Sequence, residues 1–142
     1  MHVNLTTLFQ RIAKFTENTS VMLASLTKAQ KKVARTLIDL ALERECAKLI
    51  RKVSKLSSKS LDDVEKPNHA RYLELFKAVD SFDRRLQNRY DGITGGHYLE
   101  TISYLYAEGS LKEDDLEICD EEMKSELIRF KSVCDSIQSC PD

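Results

Sequence analysis

The chain has 142 residues, of which 42% are hydrophobic and 32% are charged, and it contains only four glycines and two prolines. So few turn-forming residues argue against an all-β fold, and apolar residues that recur regularly argue against disorder over most of the length. The net charge of −1 hides an asymmetry: residues 1–60 hold twelve Lys/Arg and four Asp/Glu, whereas residues 61–142 hold ten and nineteen. The two parts therefore carry +8 and −9, so either can attract an oppositely charged surface, or the two can attract each other.

The first predicted helix begins near Asn4, a fair N-cap, and runs to about residue 17 or, beyond a break, to residue 26. Its apolar stripe consists of Leu5, Leu8, Phe9, Ile12 and Phe15. Arg11 and Lys14 interrupt this apolar stretch, which argues against a secretory signal peptide, and no run in the chain approaches the length of a transmembrane helix. We therefore expect a soluble, cytoplasmic protein that has no membrane partner.

The second predicted helix, residues 28–56, is the clearest element. Thr27 and Gln30 have the spacing of a capping box, and no glycine or proline follows before residue 56. Apolar residues lie on two adjacent stripes, which is typical of a helix packed by neighbours on two sides. Residues 57–68 are rich in Ser and Lys, then acidic, and include Pro67, so we predict a polar linker there.

Three further helices are predicted in the acidic part of the chain, at residues 69–90, 97–108 and 120–138. The turn between the first two holds three of the four glycines, Gly109 is a natural C-terminal cap, and Asp120 is an N-cap. Ser110 and Glu113 have the spacing of another capping box, before a short acidic segment. No strand pattern competes. The sequence therefore predicts one all-α domain, a bundle of four major helices with one long central helix.

The four cysteines form no metal-binding or redox motif. Cys46, Cys119, Cys134 and Cys140 make no CxxC pair and have no zinc-finger spacing with histidine. A chain of this size with a good core does not need disulfides, so we expect reduced thiols, with Cys140 the most exposed of them.

The first candidate site is a basic cluster in the opening turns of the long helix: Lys28, Lys31, Lys32 and Arg35. Cations at a helix N-terminus oppose the helix dipole, so a negative partner would offset the cost. Solvent, the acidic residues 113–122 of this chain or of a second copy, and nucleic-acid phosphates are the three alternatives. The cations near the other end of the helix, from Lys48 to Lys59, suit a helix C-terminus and require no special partner.

The second candidate site is the hinge around the glycine-rich turn, with Arg89, Tyr90, Asp91, His97, Tyr98 and Glu100. Backbone amides at the start of the following helix can hold an anion, although the turn does not match a phosphate-binding loop. His97 and Glu100 can face one way on a helix, but two ligands do not make a metal site. The alternative interpretation is that glycines let two helices reverse closely, with the tyrosines covering the joint.

No motif fixes a reaction. No serine lies in a nucleophile elbow, and the acidic run after residue 112 lacks the glycine of a calcium loop. We therefore predict no catalytic residue, no metal ligand and no cofactor, and consider an enzyme the less favoured interpretation.

Three functional hypotheses follow. The leading one is a helical protein that acts by protein–protein contact as a homodimer, since the long helix has apolar residues on more than one face. The second is a nucleic-acid-binding accessory protein that uses the basic N-terminal half. The third is small-ligand binding or catalysis at the hinge, residues 89–100.

Overall fold

The computed structural model describes residues 25–139. Within them lie α1 (Lys28–Asp62), α2 (Asn68–Tyr90), α3 (Tyr98–Ala107), a short 3₁₀ helix (Glu113–Ile118) and α4 (Glu121–Gln138). This part of the chain contains no strand, so the predicted all-α class is confirmed. The first predicted helix, residues 4–17 or 4–26, lies outside the described residues.

The long helix α1 begins where its capping pair predicts. The Gln30 backbone N–H donates to Thr27 Oγ1 at 3.2 Å, and the Thr27 backbone N–H donates to Gln30 Oε1 at 2.8 Å. These reciprocal bonds satisfy two of the amide groups that a helix start leaves without partners.

The end of α1 differs from the prediction, since the helix continues six residues beyond residue 56, to Asp62. The segment predicted as a linker contains serines but no glycine or proline before Pro67. Ser58 Oγ donates to the Ser54 carbonyl oxygen at 3.1 Å, so its hydroxyl bonds within the helix instead of competing with it. The non-helical connection is therefore only residues 63–67.

The hydrophobic core lies at one end of the molecule, around the first half of α1. Its buried apolar members come from α1, α3, α4 and the segments that join them: Leu26, Ala34, Leu37, Ile38, Ala41, Leu99, Ile102, Leu105, Tyr106, Leu111, Leu116, Met123 and Leu127. Tyr104 on α3 meets Phe130 on α4 edge to face, with ring centroids 5.1 Å apart. The interior is thus a packing of α3 and α4 against the first half of α1.

The second half of α1 packs differently, against α2. The two form an antiparallel hairpin, since only five residues connect them. Of the 23 residues of α2, only Phe82 is buried. The hairpin therefore leaves much of its apolar surface exposed, which bears on the candidate site.

The connection from α3 to α4 differs in one detail from the predicted capping. Gly109 takes the expected left-handed conformation (φ +86°) after α3. Ser110, however, donates through Oγ to Glu108 Oε1 at 2.7 Å and does not cap the acidic segment. The side chain of Asp115 accepts from the Lys112 backbone N–H at 2.6 Å instead. The following cap is as predicted, since Asp120 Oδ1 accepts from the Met123 N–H at 2.9 Å.

No helix in residues 25–139 is both long enough and apolar enough to cross a membrane.

Candidate interaction surfaces

The first basic cluster is exposed at the start of α1. Lys28, Lys31, Lys32 and Arg35 all reach solvent, and none has an ion pair with a described residue. The side chain of Lys31 lies over the glycine-rich turn, because a Cβ atom built at Gly95 would stand 3.5 Å from Lys31 Cδ. The two candidate sites of the sequence are therefore neighbours at this one point.

Carboxylates of this chain lie beside the positive end of α1. The buried side chain of Gln30 donates through Nε2 to Asp120 Oδ2 at 2.9 Å and to Glu122 Oε2 at 3.3 Å. Asp120 and Glu122 stand at the start of α4, so two helix N-termini meet at the same acidic pair. These carboxylates complement both helix dipoles, although they do not touch the lysines themselves.

A second link joins the basic and acidic parts of the chain. Arg44 on α1 donates from Nη1 to Asp115 Oδ2 at 2.5 Å and from Nη2 to Asp115 Oδ1 at 2.8 Å. Arg44 Nη1 also donates to the Ser110 carbonyl oxygen at 3.2 Å. Hydrogen bonding to the guanidinium holds the pKa of Asp115 below its usual value. Part of the charge asymmetry is thus resolved within the chain.

The hinge residues Arg89 and Tyr90 both turn toward α1. Arg89 Nη1 and the Tyr90 hydroxyl donate to the same atom, Glu45 Oε1, at 2.9 and 3.0 Å, and Arg89 also pairs with Glu108. Burial and the neighbouring Glu45 charge raise the pKa of Tyr90. These contacts tie α1, α2 and the end of α3 together.

The other hinge residues lie apart from that network. His97 Nδ1 and Thr94 Oγ1 are 3.0 Å apart at the surface, Asp91 and Glu100 are exposed, and Tyr98 packs against the core. No side-chain hydrogen bond or ion pair among residues 25–139 joins them to the first two hinge residues. A ligand at the hinge stays a prediction.

The described residues give little support for thiol or metal chemistry. Cys46, Cys119 and Cys134 are free, and Cys140 lies outside the described range. Burial, then the Asp120 charge, raises the pKa of Cys119 to about 11, and burial also raises the pKa of Cys134. Between residues 25 and 139, no group of three His, Cys, Asp or Glu side chains could hold a metal ion.

The surface that sequence reasoning missed is an apolar face on the hairpin. Five large apolar side chains are exposed there: Ile50 (69%), Leu61 (72%), Tyr72 (58%), Phe76 (53%) and Val79 (43%). Tyr72 and Phe76 stack with ring centroids 6.3 Å apart, and His69 stacks on Tyr72 at 6.5 Å. The signal lay in the sequence, because α2 has a second apolar stripe beside the one that packs on α1.

Both helices contribute to one side of the hairpin. The packing stripe of α2 consists of the less exposed residues Leu75, Ala78, Phe82 and Leu86. At about 100° per residue, Tyr72, Phe76 and Val79 lie roughly 85° around α2 from this stripe. Ile50 and Leu61 lie about 100° around α1 from its own packing stripe, in the same rotational sense. Because the helices are antiparallel, equal rotations bring both sets to the same side. We call these five residues the apolar face.

The opposite rotation on α1 leads to a row of exposed cations: Lys48, Arg51, Lys52, Lys55 and Lys59. A shallow groove of about 390 Å³ opens over them, with Leu56 in its lining. Arg85 of α2 is on the same side, since it lines a second groove with Lys48 and Lys52. We call these six cations the distal basic face.

Comparison of the chain with known protein families, curated proteins and solved structures finds no match.

Proposed function

We propose that the protein acts through protein–protein contact as a homodimer, and that the apolar face is its interface. The observation that supports this proposal is that five large apolar side chains of one face are exposed together. Large contiguous apolar patches on soluble domains are typical of interaction sites. Roughly 500 Å² of apolar side chain per copy, with a polar rim, approaches the 800 Å² per partner of a standard interface.

A second copy of this chain fits the face in a definite register. In an antiparallel α2–α2 pairing with the two-fold axis at Phe76, residues equally far before and after it oppose each other. Leu73 then meets Val79 of the partner subunit, an apolar pair. Tyr72 meets Asp80 of the partner subunit, which can accept a hydrogen bond from the phenol.

The rim of the same register is complementary in charge. His69 would stand opposite Asp83 of the partner subunit, and both residues are exposed in the single chain. The imidazole N–H of His69 can donate a hydrogen bond to that carboxylate. Pairing of two such hairpins also yields four helices around an apolar interior, which is a common dimer architecture.

Disulfide trapping tests this register. In a chain with its four cysteines replaced by Ser or Ala, His69→Cys/Asp83→Cys is expected to form a covalent dimer under mild oxidation. Within one chain the two positions are about 21 Å apart along the helix, so an internal bond cannot form. Each single variant is the control and should form no covalent dimer. A double variant that cross-links no faster than the singles would refute the register.

A further inference from the structure

We infer that the distal basic face binds the sugar–phosphate backbone of a nucleic-acid duplex. The inference goes beyond self-association and moves any nucleic-acid contact away from Lys28, Lys31, Lys32 and Arg35. Its basis is the arrangement of the six cations on one side of the hairpin, described above.

Four cations of this face have no carboxylate partner in the part of the chain that the structure describes. Lys48, Arg51, Lys52 and Lys55 are exposed, and none of them makes an ion pair with any residue between 25 and 139. Arg85 lies over the Phe82 ring, with Cζ 5.3 Å from the ring centroid, which leaves its charge at the surface.

Three acidic groups beside this face pair with other cations. Glu74 pairs with Lys66, while Glu45 and Glu108 both pair with Arg89. The hydrogen bond from Lys66 is the main cause that lowers the pKa of Glu74, and among the six cations of the distal basic face Lys59 adds to this effect. The row of lysines is therefore not neutralised by the fold.

The spacing of the row suits a linear polyanion. Positions 48, 51, 52, 55 and 59 follow successive turns of α1 and span about 16 Å. A duplex carries one phosphate per about 3.4 Å of axis on each strand, so a row of this length lies beside roughly five of them.

The two basic clusters of α1 cannot form one continuous track. At about 100° per residue, the first basic cluster centres about 155° around the helix from the distal cations. A duplex that lies on one cluster therefore faces away from the other, which makes the first cluster a matched control for the second.

Two other polyanions are less well suited to this face. A single strand is bound largely by base stacking on aromatic side chains, and the one aromatic ring of the basic face, Phe82, is buried. A bilayer is bound through apolar residues that insert beside the cations, whereas the five residues of the apolar face lie on the other side of the hairpin.

Titration of a fluorescent duplex of 30 base pairs at increasing salt tests the inference. We expect the logarithm of the affinity to fall against the logarithm of salt concentration with a slope of about −4, as for four to five phosphate contacts. The Lys52→Gln/Lys55→Gln/Lys59→Gln variant should bind at least about tenfold more weakly at low salt, with the slope reduced by about three. Glutamine preserves helix propensity, so the variant should fold.

The control variant is Lys28→Gln/Lys32→Gln/Arg35→Gln, which removes the same charge from the opposite side of α1. It should keep both the affinity and the slope. Equal losses in the two variants would mean that net charge alone governs binding and would overturn the inference. Absence of duplex binding at low salt would overturn it too, as would binding only to a single strand or only to vesicles of anionic phospholipid.

The proposed dimer and the proposed duplex binding can be confirmed or refuted independently. A chain that binds the duplex as a monomer retains the basic face but not the apolar interface, and a dimer that ignores the duplex does the opposite.

Discussion

Gln30 is where the fold is most sensitive to one added charge. Its side chain is 4% exposed, and its amide nitrogen donates to both Asp120 and Glu122. Gln30→Glu keeps the shape and the acceptor for the Thr27 N–H, but it replaces the donor with a third carboxylate. Two hydrogen bonds to charged groups are lost, at about 1 kcal/mol each after discounting for the exposure of the acceptors. Repulsion at about 4 Å adds roughly 1 kcal/mol in a water-like dielectric.

We therefore expect Gln30→Glu to lower the free energy of unfolding by about 3 kcal/mol at pH 7, or the melting temperature by about 6–12 °C. Urea unfolding followed by circular dichroism measures it. Because crowded carboxylates protonate more readily in the folded state, the loss should shrink as the pH falls below about 5. Ala29→Glu adds the same charge to the same turn at an exposed position and should be neutral or slightly stabilising. If both variants melt alike, the contact of Gln30 with Asp120 and Glu122 does not exist as described.

Two further predictions concern the pH dependence of stability. Arg44 holds the pKa of Asp115 below its ordinary value. The contribution of this ion pair to the free energy of unfolding is therefore present above about pH 4 and is lost as the pH falls through the lowered pKa. Asp115→Asn should cost about 1–3 kcal/mol at pH 7, and urea titrations should show that it loses less stability than the wild type between pH 4 and pH 2. At alkaline pH, burial and then the Glu100 charge raise the pKa of Tyr104 to about 12, while unfolded tyrosine ionises near pH 10. Stability should therefore decline from about pH 10 to pH 12, and less so in Tyr104→Phe; a loss of equal size in both proteins would contradict this assignment.

Local signals in the sequence predicted the helix starts. The Thr27–Gln30 pair and the Asp120 cap act over three residues, so their partners can be read from spacing alone. The end of α1 could not be read in this way. Serine favours turns or helices according to where its hydroxyl bonds, and the bond from Ser58 to the Ser54 carbonyl is visible only in the structure.

The candidate surfaces were harder to predict, because periodicity identifies an apolar stripe but not whether another helix packs against it. On α2, Phe82 is buried, whereas Phe76 and Tyr72 are exposed, and all three have the same kind of spacing. Which stripe receives α1 depends on the short connection at residues 63–67 and on the Arg89–Glu45 contact. The hydrogen bonds from Gln30 to Asp120 and Glu122 join positions about ninety residues apart, which no local pattern reports.

Sedimentation equilibrium is the most direct test of the apolar face as an interface. The wild-type chain is expected to sediment at twice its mass of 16.3 kDa at micromolar concentration. Phe76 exposes roughly 100 Å², so its burial in both copies contributes up to about 5 kcal/mol, and even half of that changes the dissociation constant by about 60-fold. Phe76→Glu should sediment as a monomer with unchanged helicity, while Ile118→Glu, outside the face, should remain dimeric. A wild-type chain that stays monomeric up to hundreds of micromolar would contradict the account.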